Sequence, residues 1–330
     1  MEILKTHRLH ILALLLLLFS FSGIAQNITL VSTLDTTVYE TSGLIFLNQR
    51  LITHNDSGGE PALYEVDTST GEIERKVVVR NAVNRDWEDI CCDDNYIYIG
   101  DFGNNFGNRQ DLRIFRISIT DYFATKSDSV DAEIINFKYA DQTDFSPDPF
   151  FTNYDTEALI SFKDSLYIFT KNWGDNLSRV YACPKIPGSY TLDYVDVLNP
   201  KGLVTGAVYN DISNSIYLSG YIHSFPFLME VKEFTSNRFS DGVTKRYLLP
   251  RKGSTQIEGI TDAGAVDYYF SSETNKKGSS TLYSFSSLDL SEMKSRETRV
   301  VRTLIIRLIS RVKNSSLFNL LWKSAMLLYL

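Results

Sequence analysis

Three glutamates occupy the first position of a repeated three-residue signature, where they could together bind a cation. The signature has Glu, Ser or Thr first, a small or acidic residue second and an aliphatic residue third. Its five copies are Ser42-Gly43-Leu44, Glu88-Asp89-Ile90, Glu157-Ala158-Leu159, Thr205-Gly206-Ala207 and Glu258-Gly259-Ile260. If Glu88, Glu157 and Glu258 converge, they must be protonated, paired with basic side chains or coordinated to a cation. Carboxylate oxygens suit Ca²⁺ or Mg²⁺. The alternatives are a structural ring that accepts backbone N–H groups, and direct catalysis.

The elements that must position these residues follow from the same repeat. Copies of the signature lie 46, 69, 48 and 53 residues apart, and each is followed by a second strand-like run. Units of this size that are rich in strands indicate a propeller, in which the first strand of each blade lines the central channel. We therefore predict an all-β fold, a β-propeller of five blades with four antiparallel strands each. A six-bladed propeller is the alternative, because the segment between Ile119 and Thr156 has room for further strands.

Closure of the ring is predicted from the two ends of the repeat region. The predicted blades span residues 42–80, 87–140, 156–198, 204–250 and 257–288. The last blade shows only three obvious strands, whereas Ile28–Ser32 forms a strand-like run with no partner of its own. This N-terminal strand is expected to complete the last blade and to remove two open sheet edges.

A second polar group follows the predicted second strands, at one rim of the channel. Asn, Asp and Gly are typical of turns, so turn chemistry alone is one interpretation of these loops. The other is a ligand-binding rim, because loops on one side of a rigid repeat scaffold converge at the channel mouth. Trp87 either stacks on a ligand or packs between blades. The candidate rim residues are His54, Asn55, Asp56, Trp87, Asp101, Asn104, Asn105, Arg109, Lys171, Asn172, Trp173 and Glu273.

Two segments flank the predicted propeller domain of residues 27–290. Residues 1–26 have the basic start, apolar run and small-residue end of a secretory signal peptide, which predicts an exported, periplasmic or extracellular protein without a transmembrane segment. Residues 291–330 form a basic tail. It is either an amphipathic helix that makes peripheral contact with a membrane or a frame-shifted end without selected structure.

Charge and missing motifs exclude several classes of function. The formal net charge is −7, and because the tail contributes +6 and the signal segment +1, residues 27–290 carry −14. Such an acidic body argues against nucleic acid as a partner. The sequence has no Gly-x-Ser-x-Gly elbow, phosphate-binding loop or His-Glu-x-x-His motif. The three cysteines are expected either to be buried and unpaired or to form a single disulfide.

Several segments resemble secreted propeller proteins of Bacteroidetes-type bacteria. They are Glu40–Leu44, Thr53–Gly59, Asp86–Ile90 and Tyr98–Asn105. More distantly, Glu258-Gly259-Ile260 resembles the Glu-Gly-hydrophobic repeats of SdiA-regulated and phytase-like esterase propellers. The resemblance implies a propeller, and calcium-dependent lactonase and esterase propellers are similar in their channel acids.

Two functions are consistent with these patterns. The first is a secreted propeller that binds a small molecule, protein or glycan at its rim, with a structural Ca²⁺ in the channel. The alternative is a Ca²⁺-dependent hydrolase of the lactonase, esterase or phosphoesterase class, in which the three glutamates hold the metal that activates water. The sequence leaves open whether the protein is an enzyme.

Overall fold

Five four-stranded antiparallel sheets surround a central channel, as the repeat predicts. The computed structural model describes residues 28–222, 225–249, 256–273 and 279–288. The N-terminal strand is β1 (Thr29–Thr33), and it precedes a short 3₁₀ turn at Thr36–Val38. Blade 1 contains β2 (Thr41–Leu47), β3 (Arg50–Asn55), β4 (Ala62–Val66) and β5 (Ile73–Val79).

The remaining blades repeat this order. Blade 2 has β6 (Trp87–Cys92), β7 (Tyr96–Asp101), β8 (Leu112–Ser118) and β10 (Glu133–Tyr139); helix α1 (Ile119–Ala124) and the short strand β9 (Ser129–Val130) lie between β8 and β10 in the chain. Blade 3 has β11 (Thr156–Phe162), β12 (Ser165–Thr170), β13 (Ser178–Pro184) and β15 (Tyr194–Leu198), and strand β14 (Gly188–Leu192) lies between β13 and β15 in the chain. Blade 4 has β16 (Leu203–Asn210), β17 (Ser215–Ile222), β18 (Phe225–Lys232), a 3₁₀ turn at Phe239–Asp241 and β19 (Val243–Leu248). Blade 5 has β20 (Ile257–Asp262), β21 (Asp267–Ser272) and β22 (Thr281–Ser286).

The predicted closure by the N-terminal strand is confirmed. Strand β1 pairs antiparallel with β22, with Thr29 opposite Ser284 and Thr33 opposite Thr281, so it is the fourth strand of blade 5. The segment between Ile119 and Thr156 supplies two strands: β9, which belongs to the sheet of blade 1, and β10, which belongs to the sheet of blade 2. In the described part of the chain the blade count is therefore five.

Two blades are extended at their outer edges by strands from the following part of the chain. Strand β9 pairs in parallel with β5 of blade 1, with Val78 opposite Ser129 and Val79 opposite Val130. Strand β14, which lies between two strands of blade 3, pairs in parallel with β10 of blade 2. Each addition covers a backbone edge that would otherwise be open to other chains.

Burial differs between inner and outer strands because neighbouring blades cover both faces of the inner ones. In β6 five of six residues are buried, whereas β10 alternates, with Phe137 and Tyr139 buried and Asn136 and Lys138 exposed. Large apolar side chains fill the spaces between blades; Trp87, for example, is fully buried among residues of blades 1 and 2. All three cysteines are free thiols, and Cys91 and Cys183 are buried, which confirms the unpaired alternative.

The flanking predictions fall outside the described residues. The signal segment at residues 1–26 and the tail at residues 291–330 are not described, so both stay predictions. Among the helices that the structure does describe, none is long and apolar enough to cross a membrane.

Candidate functional site at the channel mouth

The signature marks a β-bulge in every blade. The pairing of first and second strands shifts between Thr41 and Leu44 in blade 1, between Trp87 and Asp89 in blade 2 and between Thr156 and Ala158 in blade 3. Blades 4 and 5 show equivalent shifts. A bulge leaves one residue outside the ladder and re-aims its side chain. In blades 2, 3 and 4 that residue is the first of the signature, and in blades 1 and 5 the first and second signature residues both lie outside the ladder.

The second signature residue is small where first strands of neighbouring blades nearly touch. A Cβ atom at Gly206 would overlap the carbonyl oxygen of Glu258, and one at Gly259 would overlap that of Ser42. A Cβ at Gly43 would lie within 3 Å of the backbone of Asp89. Close packing of the inner strands therefore explains why glycine recurs at this position.

In blade 2 the second signature residue is an acid, and it ties three blades together. Asp89 is fully buried, and its Oδ2 accepts the backbone N–H groups of Leu159 in blade 3 at 2.8 Å and Ala207 in blade 4 at 3.3 Å. Its Oδ1 accepts the N–H of Ile90 at 2.9 Å. Burial raises the pKa of Asp89, while these three donors lower it. The structural role that was considered for the three glutamates thus falls to Asp89.

The hydroxyls of the signature also connect first strands. Ser42 Oγ donates to the carbonyl of Glu88, and Thr205 Oγ1 donates to the carbonyl of Ile257 at 2.6 Å. These two positions hold the ring together through backbone oxygens. The side chains of Glu88, Glu157 and Glu258 are left to face the channel.

A cavity of about 190 Å³ opens at this end of the channel, and all three signature glutamates line it. Trp173 and Phe150 form part of its wall, and the only basic side chain among its described lining residues is Lys171. Six carboxylates line it. The lining residues are Glu40, Thr41, Ser42, Asp56, Glu88, Asn105, Phe150, Glu157, Lys171, Trp173, Tyr221, Gln256, Glu258 and Glu273.

On one side of the cavity three carboxylates lie close together. One oxygen each of Asp56, Asp86 and Glu88 lies within 4.8 Å of the other two. Gly103 makes this approach feasible, because a Cβ there would overlap Glu88 Oε1 and Asp86 Oδ2. Arg109 is 4.0 Å from Asp86 and offsets part of the negative charge.

Several of these acids have no hydrogen-bond donor. Glu88 and Glu258 are only 5% and 8% exposed, yet among the described residues none donates a hydrogen bond to either side chain. Asp56 Oδ1 is buried and likewise has no described partner. Buried carboxylates that lack partners are costly, so this cavity is built at the expense of stability.

The pKa values reflect this environment. Burial and the nearby Asp56 charge raise the pKa of Glu88 well above its usual range, and burial with neighbouring carboxylates does the same for Glu258. Burial and the Asp86 charge raise the pKa of Asp56 to about 8. Burial raises the pKa of Asp86 to about 6, although Arg109 opposes the rise. Carboxyl groups that titrate near neutral pH are a common property of functional sites.

Stability in the absence of divalent cations should therefore fall as the pH rises. In the unfolded chain Asp56 has a pKa near 3.8, so between that value and about 8 the folded state holds a proton that the unfolded state has lost. We expect the melting temperature, measured in chelator, to drop by about 5 °C between pH 5.5 and pH 8.5. Asp56→Asn should make the slope shallower, and the raised pKa values of Glu88 and Glu258 should account for the slope that is left. A melting temperature that rises over this interval in the unmodified chain would contradict the assignment.

The cavity also holds an ammonium group of its own. Lys171 Nζ lies 2.6 Å from Glu157 Oε1, and both side chains are at most 7% exposed. The ammonium is 4.9 Å from the ring centroid of Trp173 and 5.5 Å from that of Tyr221. Burial alone would lower the pKa of Lys171, but Glu157 and the neighbouring acids raise it well above its usual range. Glu157 is thus paired, whereas Glu88 and Glu258 accept no hydrogen bond from a residue that the structure describes.

Five of the twelve candidate rim residues line the cavity: Asp56, Asn105, Lys171, Trp173 and Glu273. His54 lies instead in the interior, where its ring packs edge-on against Trp87 at 5.7 Å. Burial lowers the pKa of His54 to about 4, so the imidazole is neutral. Of the two interpretations of Trp87, the structure supports packing between blades, and the Trp87 Nε1–H donates to Val83 O at 3.2 Å.

The other candidates shape the rim loops rather than face the cavity. Asn55 Nδ2 donates to Thr37 O, and Asn172 Nδ2 donates to Asp175 Oδ1, both at 2.8 Å. Asp101, Asn104 and Arg109 form one buried cluster, in which Arg109 Nη2 donates to Asp101 Oδ1 at 3.0 Å and Asn104 Oδ1 accepts the Arg109 N–H. These are the local hydrogen bonds that turn chemistry requires.

Residues outside the candidate set complete the site. Asp86 joins the acid cluster, and Asp155 accepts the Trp173 Nε1–H at 2.8 Å and the Asn104 N–H at 2.7 Å. Phe150 reaches the cavity from the long connection between blades 2 and 3. The adjacency of Asp86 to the signature was a usable signal, whereas the non-repeating segment that carries Phe150 gave none.

Comparisons with known proteins support the architecture alone. No protein family matches the chain, and neither does any curated protein sequence. Among solved structures, a glucose dehydrogenase is similar at 8% identity with a TM-score of 0.45, over 78% of this chain and 98% of that one. A family 43 β-xylosidase/α-arabinofuranosidase from a compost microbial metagenome, solved with xylotriose, has 11% identity and a TM-score of 0.45, over 78% and 94%.

A third similar structure comes from Bacteroides thetaiotaomicron. It is a quinonprotein alcohol dehydrogenase-like protein with 13% identity and a TM-score of 0.36, and the match covers 71% of this chain but 49% of that protein. Likenesses this distant carry no argument about activity, because propellers host unrelated functions. What the strand pairing establishes is that the chain is a five-bladed β-propeller closed by its N-terminal strand.

Proposed function

We propose that the acidic cavity binds a divalent cation of the Ca²⁺ class and that the propeller holds a ligand at the rim beside it. The observation that carries the proposal is the pair Glu88 and Glu258, which are almost fully buried, face one cavity and accept no hydrogen bond from a described group. A cation would supply the missing partner, and hard carboxylate oxygens are the donors that Ca²⁺ prefers.

The residues fit such an ion in two further respects. Asp56 Oδ1 is a buried acceptor without a partner among the described residues, and Gly103 leaves open the space in which Glu88 and Asp86 meet. The proposed ligands are accordingly Asp56, Asp86 and Glu88, together with Glu258, which lines the same cavity. Glu157, which belongs to the set predicted from the signature, is already paired with Lys171.

The proposal includes a location outside the cytoplasm. Residues 1–26 predict export, and extracellular modules commonly bind Ca²⁺ with dissociation constants of roughly 10⁻⁴ to 10⁻³ M. Affinity in that range is sufficient where the ion is abundant. The site needs no higher affinity to be occupied there.

Thermal unfolding with and without Ca²⁺ tests the proposal. A cation bound only by the folded chain stabilises it by mass action, by about 2.7 kcal/mol at 100 times the dissociation constant. For a domain of this size that corresponds to a rise of about 6 °C in melting temperature. No rise at 10 mM Ca²⁺, relative to chelator at matched ionic strength, would rule out the cation site.

Substitutions in the cavity can be compared with controls elsewhere to distinguish a loss of cation binding from a loss of folding stability. Glu88→Gln and Glu258→Gln remove a charge and keep the shape, so they should abolish or strongly reduce the rise. Gly103→Ala removes no carboxylate but adds a Cβ that overlaps Glu88 Oε1 and Asp86 Oδ2 and displaces them, so it should have the same effect. Glu74→Gln, an exposed position on β5, and Gly59→Ala, where a Cβ meets only ordinary contacts, are the matched controls.

A hydrolase is the second candidate, and carboxylates beyond the proposed ligands favour it. Glu40 and Glu273 line the same cavity and are not among the proposed ligands, so either could accept a proton from a water molecule that a bound cation would activate. Lactones, which are uncharged, should then be hydrolysed in the presence of Ca²⁺. Turnover that Asp86→Asn and Glu88→Gln both abolish would assign the enzyme class, and no turnover would leave the binding function.

A further inference from the structure

One exposed phenylalanine lines the acidic cavity, and two more directly follow lining residues in the chain. We call Phe106, Phe150 and Phe151 the aromatic ledge; they are 52%, 56% and 70% exposed. Phe150 lines the cavity, and its ring meets that of Trp173 edge-on at 5.1 Å. Exposed phenylalanines grouped at the edge of a cavity are typical of a binding surface.

The ledge is held in place by backbone hydrogen bonds. The Phe150 N–H donates to Asn105 O at 3.1 Å, and the Asp148 N–H donates to Phe106 O at 2.9 Å. Phe150 has a φ angle of 61°, an unusual conformation for a bulky residue. The surrounding contacts thus keep an apolar ring at the cavity mouth although both its exposure and its backbone conformation are unfavourable.

The charge of the cavity defines which ligands it accepts. Among the described lining residues there are six carboxylates and one ammonium, so these residues carry five uncompensated negative charges when all of them are ionised. One bound divalent cation would reduce this number to three negative charges. An anionic ligand such as a phosphoester would be repelled, whereas a cationic ligand would be attracted.

The chain itself shows how an ammonium group sits in this cavity. Lys171 places its Nζ 2.6 Å from a Glu157 oxygen and 4.9 Å from the Trp173 ring, which combines an ion pair with a cation–π contact. Glu258 lines the same cavity and is only 8% exposed, and it accepts no hydrogen bond from a described residue, although the Lys171 charge is close enough to lower its pKa. A second ammonium group would find in Glu258 the carboxylate that Lys171 finds in Glu157.

From these observations we infer that the ligand of the rim is a small organic ammonium ion with an apolar body. The charged nitrogen enters the acidic cavity beside Glu258, and the apolar part packs on the aromatic ledge at Phe150. A cavity of about 190 Å³ admits an ammonium head with a short stem, which favours a small molecule over a folded protein surface. The inference rests on the proposed function in using the same cavity, but it does not require the metal.

Binding of benzylammonium tests the inference, with benzyl alcohol as the neutral counterpart. We expect calorimetry at pH 7.5 to show at least tenfold weaker binding of benzyl alcohol, because only the charged probe pairs with the carboxylates. Phe150→Ala should weaken benzylammonium binding at least fivefold through loss of the ledge. Glu258→Gln should weaken it at least tenfold. Glu74→Gln is the control for charge.

The outcomes distinguish this inference from the cation site. Equal binding of the two probes, or no effect of either Phe150→Ala or Glu258→Gln, would overturn the inference even if Ca²⁺ still raises the melting temperature. Charge-dependent benzylammonium binding in chelator, without any response to Ca²⁺, would support the inference and reject the metal. A lysine-containing peptide amide that binds ten times more tightly than benzylammonium would overturn the assignment to a small molecule.

Discussion

Asp89→Asn should lower the melting temperature by about 8 °C, although the two side chains have nearly the same size. Both carboxylate oxygens of Asp89 accept backbone N–H groups, from Ile90, Leu159 and Ala207. An asparagine offers one acceptor oxygen and turns an NH₂ group toward at least one N–H donor. An unsatisfied buried donor costs about 1–3 kcal/mol, and the apposed donors add to that cost, so we expect a loss of roughly 3 kcal/mol.

The comparison that makes this result informative is Asp94→Asn on the same hairpin. Asp94 is exposed, so its substitution should change the melting temperature by less than about 1 °C. Thermal unfolding by circular dichroism measures both. If Asp89→Asn were as stable as Asp94→Asn, the connection of three blades through one carboxylate would be wrong.

Gly206→Ala is the second substitution with a large expected effect. The added methyl group would overlap the carbonyl oxygen of Glu258 and approach Ser219 Oγ, which donates to that same oxygen at 3.0 Å. The obstacle is backbone rather than a flexible side chain, so the first strands of blades 4 and 5 must separate. Overpacking of this kind costs up to about 3 kcal/mol, and we expect the melting temperature to fall by roughly 8 °C.

Gly206→Ala should also weaken the response to Ca²⁺ at the acidic cavity. Because Glu258 belongs to the displaced strand, its side chain would shift in the cavity, and the response to Ca²⁺ should shrink together with stability. Gly59→Ala introduces the same methyl group where its nearest neighbours are 3.7 and 3.8 Å away, and it should leave both properties unchanged. A Gly206→Ala protein that melts like the Gly59→Ala protein would contradict the packing explanation of the signature.

The architecture was predictable because each blade repeats the same pattern of strands, turns and signature residues. Alternating apolar residues, turn residues and a signature at intervals of 46 to 69 residues gave the blade count and the closing strand. Convergence of Glu88, Glu157 and Glu258 followed from the equivalence of first strands. That reasoning required only that repeats superpose.

The finer roles were not predictable from the same pattern. The bulge at the signature, which turns the glutamates toward the channel, depends on strand pairing and has no single-residue signal. Sequence reasoning assigned the possible ring of N–H acceptors to the glutamates, whereas Asp89 at the next position has that role. His54 follows the end-of-strand pattern but is buried against Trp87, because only packing decides which side of a strand faces the solvent.

The parallel strands that extend blades 1 and 2 have a consequence for how the chain is made. During synthesis from the N-terminus, β5 emerges before β9, and β10 emerges before β14, so the outer edges of the first two blades wait for later segments. Strand β1 is without its partner for the longest time, because β22 is the last strand described. Such distant pairings slow folding and leave edges open to other chains. The nascent propeller therefore depends on completion of its last blade before its first strand is protected.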